Sequence, residues 1–292
     1  MTTSTLPVTT GGRSAPDAGA PRGGALRGGA LRWWISDVLV LTQRSLARIV
    51  REPETLMDVT IQPIVFVLLF AYVFGSAIAI PGGGSYREYL IGGMLGMGIA
   101  GTAPGTAVAL VTDMSTGLID RFRSLPMSRA AVLAGRTVAD LLTQALGALV
   151  VAAVGLAIGW RVHTGIADTL AAFGLALLFG YAFTWAGACL GMVLRSPEAA
   201  QQLGFILFLP LTFISNAFVP TQGMPGWLQA IANWNPLSAL AAACRHLFGN
   251  PDPAAAVQVW PMQHPILTVL LWSLLLVFAP LAVHLYRRKS LA

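Results

Sequence analysis

The sequence predicts an all-α polytopic integral membrane protein with six transmembrane helices. Three observations carry that reading: the hydropathy, the length of the apolar runs and the placement of the arginines. Hydrophobic residues make up 55% of the 292 and charged residues 10%, with mean hydropathy +0.70. A water-soluble fold of this length needs more polar side chains to cover its surface. A bilayer core of about 30 Å takes about 20 apolar residues per helix. Six such runs occur, at residues 59–80, 89–111, 132–159, 168–194, 201–219 and 265–286. An even number of spans puts both termini on one side. Fifteen of the 18 basic residues lie in the N-terminal region, the second and fourth connections and the C-terminal tail, leaving only Arg87, Arg161 and Arg245 for the others. Positive charge concentrates in cytoplasmic loops, so both termini are expected in the cytoplasm. The net charge of +6 is spread over four segments and reads as a topology signal, with no nucleic-acid partner.

Taken from the N-terminus, residues 1–32 are rich in Gly, Ala, Thr, Pro and Arg. That composition cannot offset the entropy of ordering, and the segment is expected to be a disordered cytoplasmic tail without signal-peptide character. Residues 33–52 are different. Ile35, Val38, Leu39, Thr42, Leu46 and Ile49 recur at helical steps while Asp37, Arg44, Arg48 and Arg51 occupy another face, and Trp33 and Trp34 stand at the start. This is the pattern of an amphipathic interface helix, closed by Pro53.

In the second span, Gly92 with Gly96 and Gly101 with Gly105 have the small-xxx-small spacing that lets helices approach closely. Pro104 and, in the fifth span, Pro210 predict kinks. The second connection, residues 113–129, mixes Asp113, Asp120, Arg121, Arg123 and Arg129 with Leu118, Phe122, Leu125 and Met127. A joining loop can be short and polar, so this amphipathic segment reads as a docking surface for a cytoplasmic partner. Asp140 and Gln144, one turn apart on the third span, are expected to face inward, with Arg136 as the ion partner of Asp140. On the fifth span, Phe205, Phe208, Phe213 and Phe218 either line a path for a flat apolar molecule or face lipid, and Asn216 serves as a cap or in that path. Between residues 219 and 265 seven prolines interrupt the chain, whereas Trp227, Leu228, Ile231, Trp234 and Leu237 suit a membrane interface. Arg245 beside His246 reads as a headgroup contact.

Catalysis finds no support. The histidines are scattered, and neither H-E-x-x-H, C-x-x-C nor G-x-S-x-G occurs, so no metal or catalytic residue is assigned. The chain's one lysine, Lys289, follows two arginines and cannot belong to a phosphate-binding G-x-x-x-x-G-K-[ST] loop. Cys189 and Cys244 make no disulfide framework.

Three segments together resemble a known family: GLIDRFRSLPMSR at 117–129, LAGRTVAD at 133–140, and SNAFVPTQGMPGWLQAIANWNPLSALAAACRHLFGN at 215–250. They look like the permease subunits of ABC-2 type exporters, in particular the daunorubicin/doxorubicin-resistance permeases of actinobacteria. The likeness runs from about residue 35 to the C-terminus and leaves the head outside it. The resemblance implies a multi-pass protein of the bacterial plasma membrane that exports a hydrophobic drug, antibiotic or lipid-like compound. It implies two ATPase subunits, which bind ATP and Mg²⁺, and a second permease copy or paralogue; this chain would hold no cofactor itself. It places an ATPase-coupling helix at about 113–126, with Asp113, Gly117, Asp120, Arg121, Phe122, Arg123, Leu125 and Pro126. It also implies an interface helix carrying Arg44, Arg48 and Arg51, and short re-entrant helices at about 224–248. Residues 235–238, with Asn235 and Pro236, would form the turn between them. Phe205, Phe208, Phe213 and Asn216 are the candidate pathway residues. An ion-coupled secondary transporter and a membrane scaffold remain as alternatives; the first needs protonatable groups deep in the spans, where only Asp140 comes near.

Overall fold

A computed structural model describes residues 53–115 and 129–275, with side chains described from about Val59 to Ser115 and from Asp140 onward. The interface-helix arginines Arg44, Arg48 and Arg51 lie outside the described residues. So do Gly117, Asp120, Arg121, Phe122, Arg123, Leu125 and Pro126, the side chain of Arg136, and the end of the last expected span.

Every regular element among the described residues is helical. Helix α1, Pro53–Leu69, runs into one π-helical turn, Phe70–Phe74. Then come α2 Tyr86–Ala100, α3 Thr102–Ser115, α4 Arg129–Ala157, α5 Ile166–Val193 and α6 Pro197–Phe213. Two short helices follow, α7 Gly226–Trp234 and α8 Pro236–Phe248, and then α9 Trp260–Gln263 and α10 Pro265–Leu275. Among the described residues, three apolar stretches are long enough to cross a bilayer: Tyr86–Ser115, Asp140–Ala157 and Ile166–Val193, of 30, 18 and 28 residues. Val59–Phe74 and Pro265–Leu275 are apolar but shorter.

The ends of these helices follow from local chemistry. At the start of α6 the Ser196 hydroxyl accepts from the Ala199 amide, and Pro197 takes the first helical position, where its missing N–H is harmless. Gly249, at φ 68°, closes α8 in the left-handed conformation that glycine adopts without strain. The kink expected at Pro104 appears as a break at Gly101. Proline has no N–H for the Ala100 carbonyl four residues back, and the helix stops ahead of the vacancy. The expected fifth span is corrected too, because α6 ends at Phe213 and residues 214–220 leave the helix.

Helix α8 is the centre of the packing. It lies against α2, α5 and α10, and Leu237, Leu240, Ala243, Cys244 and Phe248 are buried. Of the predicted glycine pairs, Gly92 and Gly96 meet α8, at Arg245 and Leu240, whereas Gly101 faces Phe208 and Gly105 faces open space. On α5, Gly187 and Gly191 admit the backbone of α3 at Ala103 and Ala107, and Gly204 of α6 admits Pro104. The closest approach is at Gly93, where the Ala217 carbonyl occupies the place of a Cβ.

Gly93→Ala therefore has to push backbone against backbone, and overpacking of that kind costs about 1–3 kcal/mol. Gly98 has nothing within 4 Å of a Cβ. A thermal unfolding series in detergent is expected to show a clear drop in Tm for Gly93→Ala and none for Gly98→Ala.

Candidate functional site

Two polar constellations sit within the apolar bundle, one at the start of the second expected span and one just past its middle. The first surrounds Arg245. Reading this arginine as a headgroup contact is wrong: its side chain is 0% exposed. It sits three residues before the end of α8, and the turn after α6 and the first turn of α2 converge on it. Its Nε donates to the Tyr89 carbonyl at 2.8 Å, and Nη2 donates to the carbonyls of Asn216 at 2.8 Å and Ala217 at 3.1 Å. The guanidinium lies over the Tyr89 ring, 3.6 Å from its centroid. Nη1 has no hydrogen-bond partner and is 3.8 Å from Asp252 Oδ1, an ion pair just beyond α8. Burial pushes the Asp252 carboxyl above its ordinary range, and the Arg245 guanidinium beside it pulls it back down.

The turn at 214–218 is held on several sides. The Tyr89 hydroxyl also donates to the Asn216 carbonyl, and the Tyr86 hydroxyl donates to that of Phe218 at 3.1 Å. The Asn216 amide donates to the Ser238 hydroxyl at 3.0 Å. Asn235, predicted at the turn between the short helices, is the whole of that turn, because Pro236, Leu237 and Ser238 already belong to α8. Its Oδ1 accepts from the Leu237 amide, while Nδ2 donates to the Leu211 and Ile214 carbonyls at 2.7 and 2.6 Å. One asparagine thus starts α8 and satisfies carbonyls left open at the end of α6.

The other two basic residues outside the arginine-rich segments are also bound to carbonyls. Arg87 donates to the Ile158 carbonyl at 3.0 Å and lies over the Tyr72 ring. Arg161 donates to the Leu156 and Trp160 carbonyls, each at 2.8 Å. Nearby, His163 pairs with Glu88 at 2.9 Å, Trp160 Nε1 donates to Asn250 Oδ1 at 2.7 Å, and the His163 amide donates to the Phe248 carbonyl. These bonds strap the connection between α4 and α5 onto the start of α2 and the end of α8.

The second constellation lies beside the break at Gly101. Asp140 and Gln144 of α4 face inward, as expected. Thr106 donates to Asp140 Oδ2 at 2.8 Å, and Gln144 Nε2 donates to Thr102 and Thr184 at 2.7 and 2.9 Å. Gln144 Oε1 has no partner and packs over Gly180, whose missing side chain makes room for it. Sequence reasoning found the two α4 residues from the penalty for polar groups facing lipid, but gave no sign of Thr102, Thr106 or Thr184. Threonines in apolar runs carry no marker of which ones meet a partner.

The remaining predicted residues are dispersed. Asp113 lies near the end of α3 and is half-buried. Phe205 and Phe213 are exposed, Phe208 packs on the core near Gly101, and Asn216 is buried in the arginine cluster with its Nδ2 3.9 Å from Met262 Sδ. Phe218 is buried and stacks on Phe70, with ring centroids 4.5 Å apart. No group of three or more His, Cys, Asp or Glu is placed to hold a metal ion among the described residues.

Comparison with known proteins matches residues 36–248 to a family described as ABC-2 type transporter. The daunorubicin resistance ABC transporter permease protein DrrB1 of Streptomyces coeruleorubidus is 32% identical over 256 residues, covering 88% of each chain. The doxorubicin resistance ABC transporter permease protein DrrB of Mycobacterium tuberculosis is 26% identical over 166 residues, 57% of each chain.

Removing one partner of a buried ion pair costs about 3–5 kcal/mol, because the other charge is left without compensation. Arg245→Met is expected to lower Tm sharply in detergent. The double variant Arg245→Met/Asp252→Asn should recover part of the loss, since it removes the stranded carboxylate. Equal Tm values for the single and double variants would show that Asp252 contributes nothing to the cluster.

Proposed function

The chain belongs to the ABC-2 type transporter family, and from that membership we propose that it is the permease subunit of an ATP-driven exporter. In this reading six helices span the bacterial plasma membrane with both termini in the cytoplasm, and α7 and α8 re-enter from the outer face. The permease works with a second copy or paralogue and two ATPase subunits, which bind ATP and Mg²⁺. The cargo is a hydrophobic drug or antibiotic, with a lipid or glycolipid as the other substrate class. The observation that carries this proposal is the identity to a daunorubicin resistance permease over 88% of both chains.

Coupling to the ATPase is assigned to residues 113–126. This segment begins where α3 ends at Ser115, and α3 is wedged between α5 and α6 through contacts at glycine. A push on that segment therefore meets close-packed helices, which pass displacement on with little loss. Arg44, Arg48 and Arg51 would hold the interface helix against the cytoplasmic leaflet beside the ATPase.

Two measurements test the proposal. Reconstitution with its ATPase in liposomes should give ATP hydrolysis that hydrophobic compounds stimulate; a turnover indifferent to this chain would defeat the exporter reading. Charge reversal by Arg121→Glu and Arg123→Glu should abolish co-purification of the ATPase while leaving membrane insertion intact, and retained co-purification would sink the coupling assignment.

A further inference from the structure

The π turn that closes α1, Phe70–Phe74, uses one residue more than an α-helix would, because its amides reach back five residues instead of four. Two features of the chain account for it. Phe66, Phe70 and Phe74 stack in a column, with centroids 6.3 and 5.1 Å apart, and Phe218 lies on Phe70 at 4.5 Å. In an α-helix residues four apart drift about 40° round the axis, and the wide turn takes that drift back. The other feature is Gly75, where the Ala71 carbonyl stands in the place of a Cβ. At Gly101, where α2 ends without a π turn, the carbonyl four residues back is 3.1 Å from that place. The wide turn therefore needs a glycine at 75, and an α turn does not.

We propose that this turn is a swivel with two settings. Closing it to an α turn, with the chain beyond Gly75 in place, moves α1 toward its N-terminus by one residue, about 1.5 Å along the axis and 100° round it. Each side chain then takes the place of the one before it. The packing permits the exchange: from Val59 to Phe74 there is no charged residue, and apart from Thr60, Gln62 and Tyr72 every side chain is apolar. Ile64, Val67 and Leu68 take the places of Pro63, Phe66 and Val67. Thr60 takes that of Val59, whose Cγ1 is 3.7 Å from where a Cβ of Gly147 on α4 would stand. The loss is aromatic, since Ala71 replaces Phe70 on Phe218 and Tyr72 leaves Arg87. That stack holds the π setting. The hydrogen bonds of Arg245 take no part, because none of its partners is on α1. The swivel thus lets the segment ahead of α1 turn the first span without unfastening the Arg245 cluster, and it does not depend on the exporter reading.

Disulfide trapping in nanodiscs tests it. Val59→Cys/Gly147→Cys and Thr60→Cys/Gly147→Cys are made in a Cys189→Ala/Cys244→Ala background, and linked peptides are counted by mass spectrometry after mild oxidation. Both pairs are expected to form, the Val59 pair in excess. Gly75→Ala denies the Ala71 carbonyl its place, and should raise the Thr60 pair relative to the Val59 pair at least about threefold, as a shift between two populated settings. Deleting Val73, which is 62% exposed, removes the extra residue and leaves both halves where they are. The Thr60 pair should then vanish while the Val59 pair remains. A Thr60 pair missing from both the unchanged and the Gly75→Ala turn would show a single setting. One that survives deletion of Val73 would show that α1 moves for a reason other than the turn, and a ratio unchanged by Gly75→Ala would separate the movement from the Ala71 carbonyl. Each of these results overturns the proposal, and if Gly75→Ala does not fold, the deletion decides alone.

Discussion

Inside an apolar bundle, a helix that stops leaves carbonyls which water cannot reach, and the structure is organised around supplying them with donors. Two of the carbonyls concerned, those of Asn216 and Ala217, converge on one guanidinium, which also donates to the Tyr89 carbonyl in the first turn of α2. Lysine would bring the same charge, but without the planar fork that reaches several carbonyls at once and lies flat on the Tyr89 ring. The chain can end α6 at Phe213 and fold α7 and α8 back toward the bundle because Arg245 and Asn235 satisfy what that ending exposes. Without them, residues 214–218 would be an irregular segment with buried, unbonded carbonyls.

The same requirement explains the exceptions in the charge distribution. Basic residues outside the four arginine-rich segments weaken an orientation argument when they are free to act as loop charges. Arg87, Arg161 and Arg245 are not free in that sense, because their guanidinium groups are bonded to carbonyls, two of them where α4 gives way to the following connection. Cations are favoured at that end of a helix by the alignment of its peptide dipoles. These arginines belong to the fold, and the remaining fifteen basic residues carry the orientation signal.

The sequence made visible whatever a one-dimensional pattern can encode. Long apolar runs located the second, third and fourth expected spans within a few residues, since lipid imposes a length that counting recovers, whereas the first and fifth runs outlast their helices, which end at Phe74 and Phe213. The inward orientation of Asp140 and Gln144 followed from the penalty for the opposite arrangement. Asn235 was placed at the turn between the short helices by the resemblance, and that turn is shorter than residues 235–238, because asparagine caps α8 and Pro236 fits its first turn. Arg245 was missed for a physical reason: its partners lie 156, 29 and 28 residues away, and no local spacing announces them. Its neighbour His246 is exposed, so adjacency in sequence pointed to the surface while the helix turned Arg245 inward. The position of the second-span break was also misjudged, because proline marks the bond that cannot form and the chain yields at the glycine before it.

That break separates two kinds of packing. Beyond it, α2 is joined to α8 and to the turn after α6 by close contacts at Gly92, Gly93 and Gly96 and, in addition, by side chains bonded to carbonyls, which have fixed direction and little room to slide. On its other side, α3 rests on α5 and α6 through glycine and alanine backbone, where contact is close but non-directional. Across the break itself, Gln144 and Asp140 bond to Thr102 and Thr106 in the first turns of α3, not to α2. Gly101 is therefore the joint between a unit cross-linked around Arg245 and a helix, α3, wedged against α5 and α6 and bonded to α4 through Thr102 and Thr106. In the proposed exporter, the coupling segment begins at the far end of α3, so a displacement arriving there reaches the Arg245 unit along the chain through Gly101 and sideways through α5, which packs against both α3 and α8. Whether α2 follows α3 then depends on the strength of the Arg245 cluster relative to the threonine contacts of Gln144 and Asp140. That balance sets which half of the second span yields first.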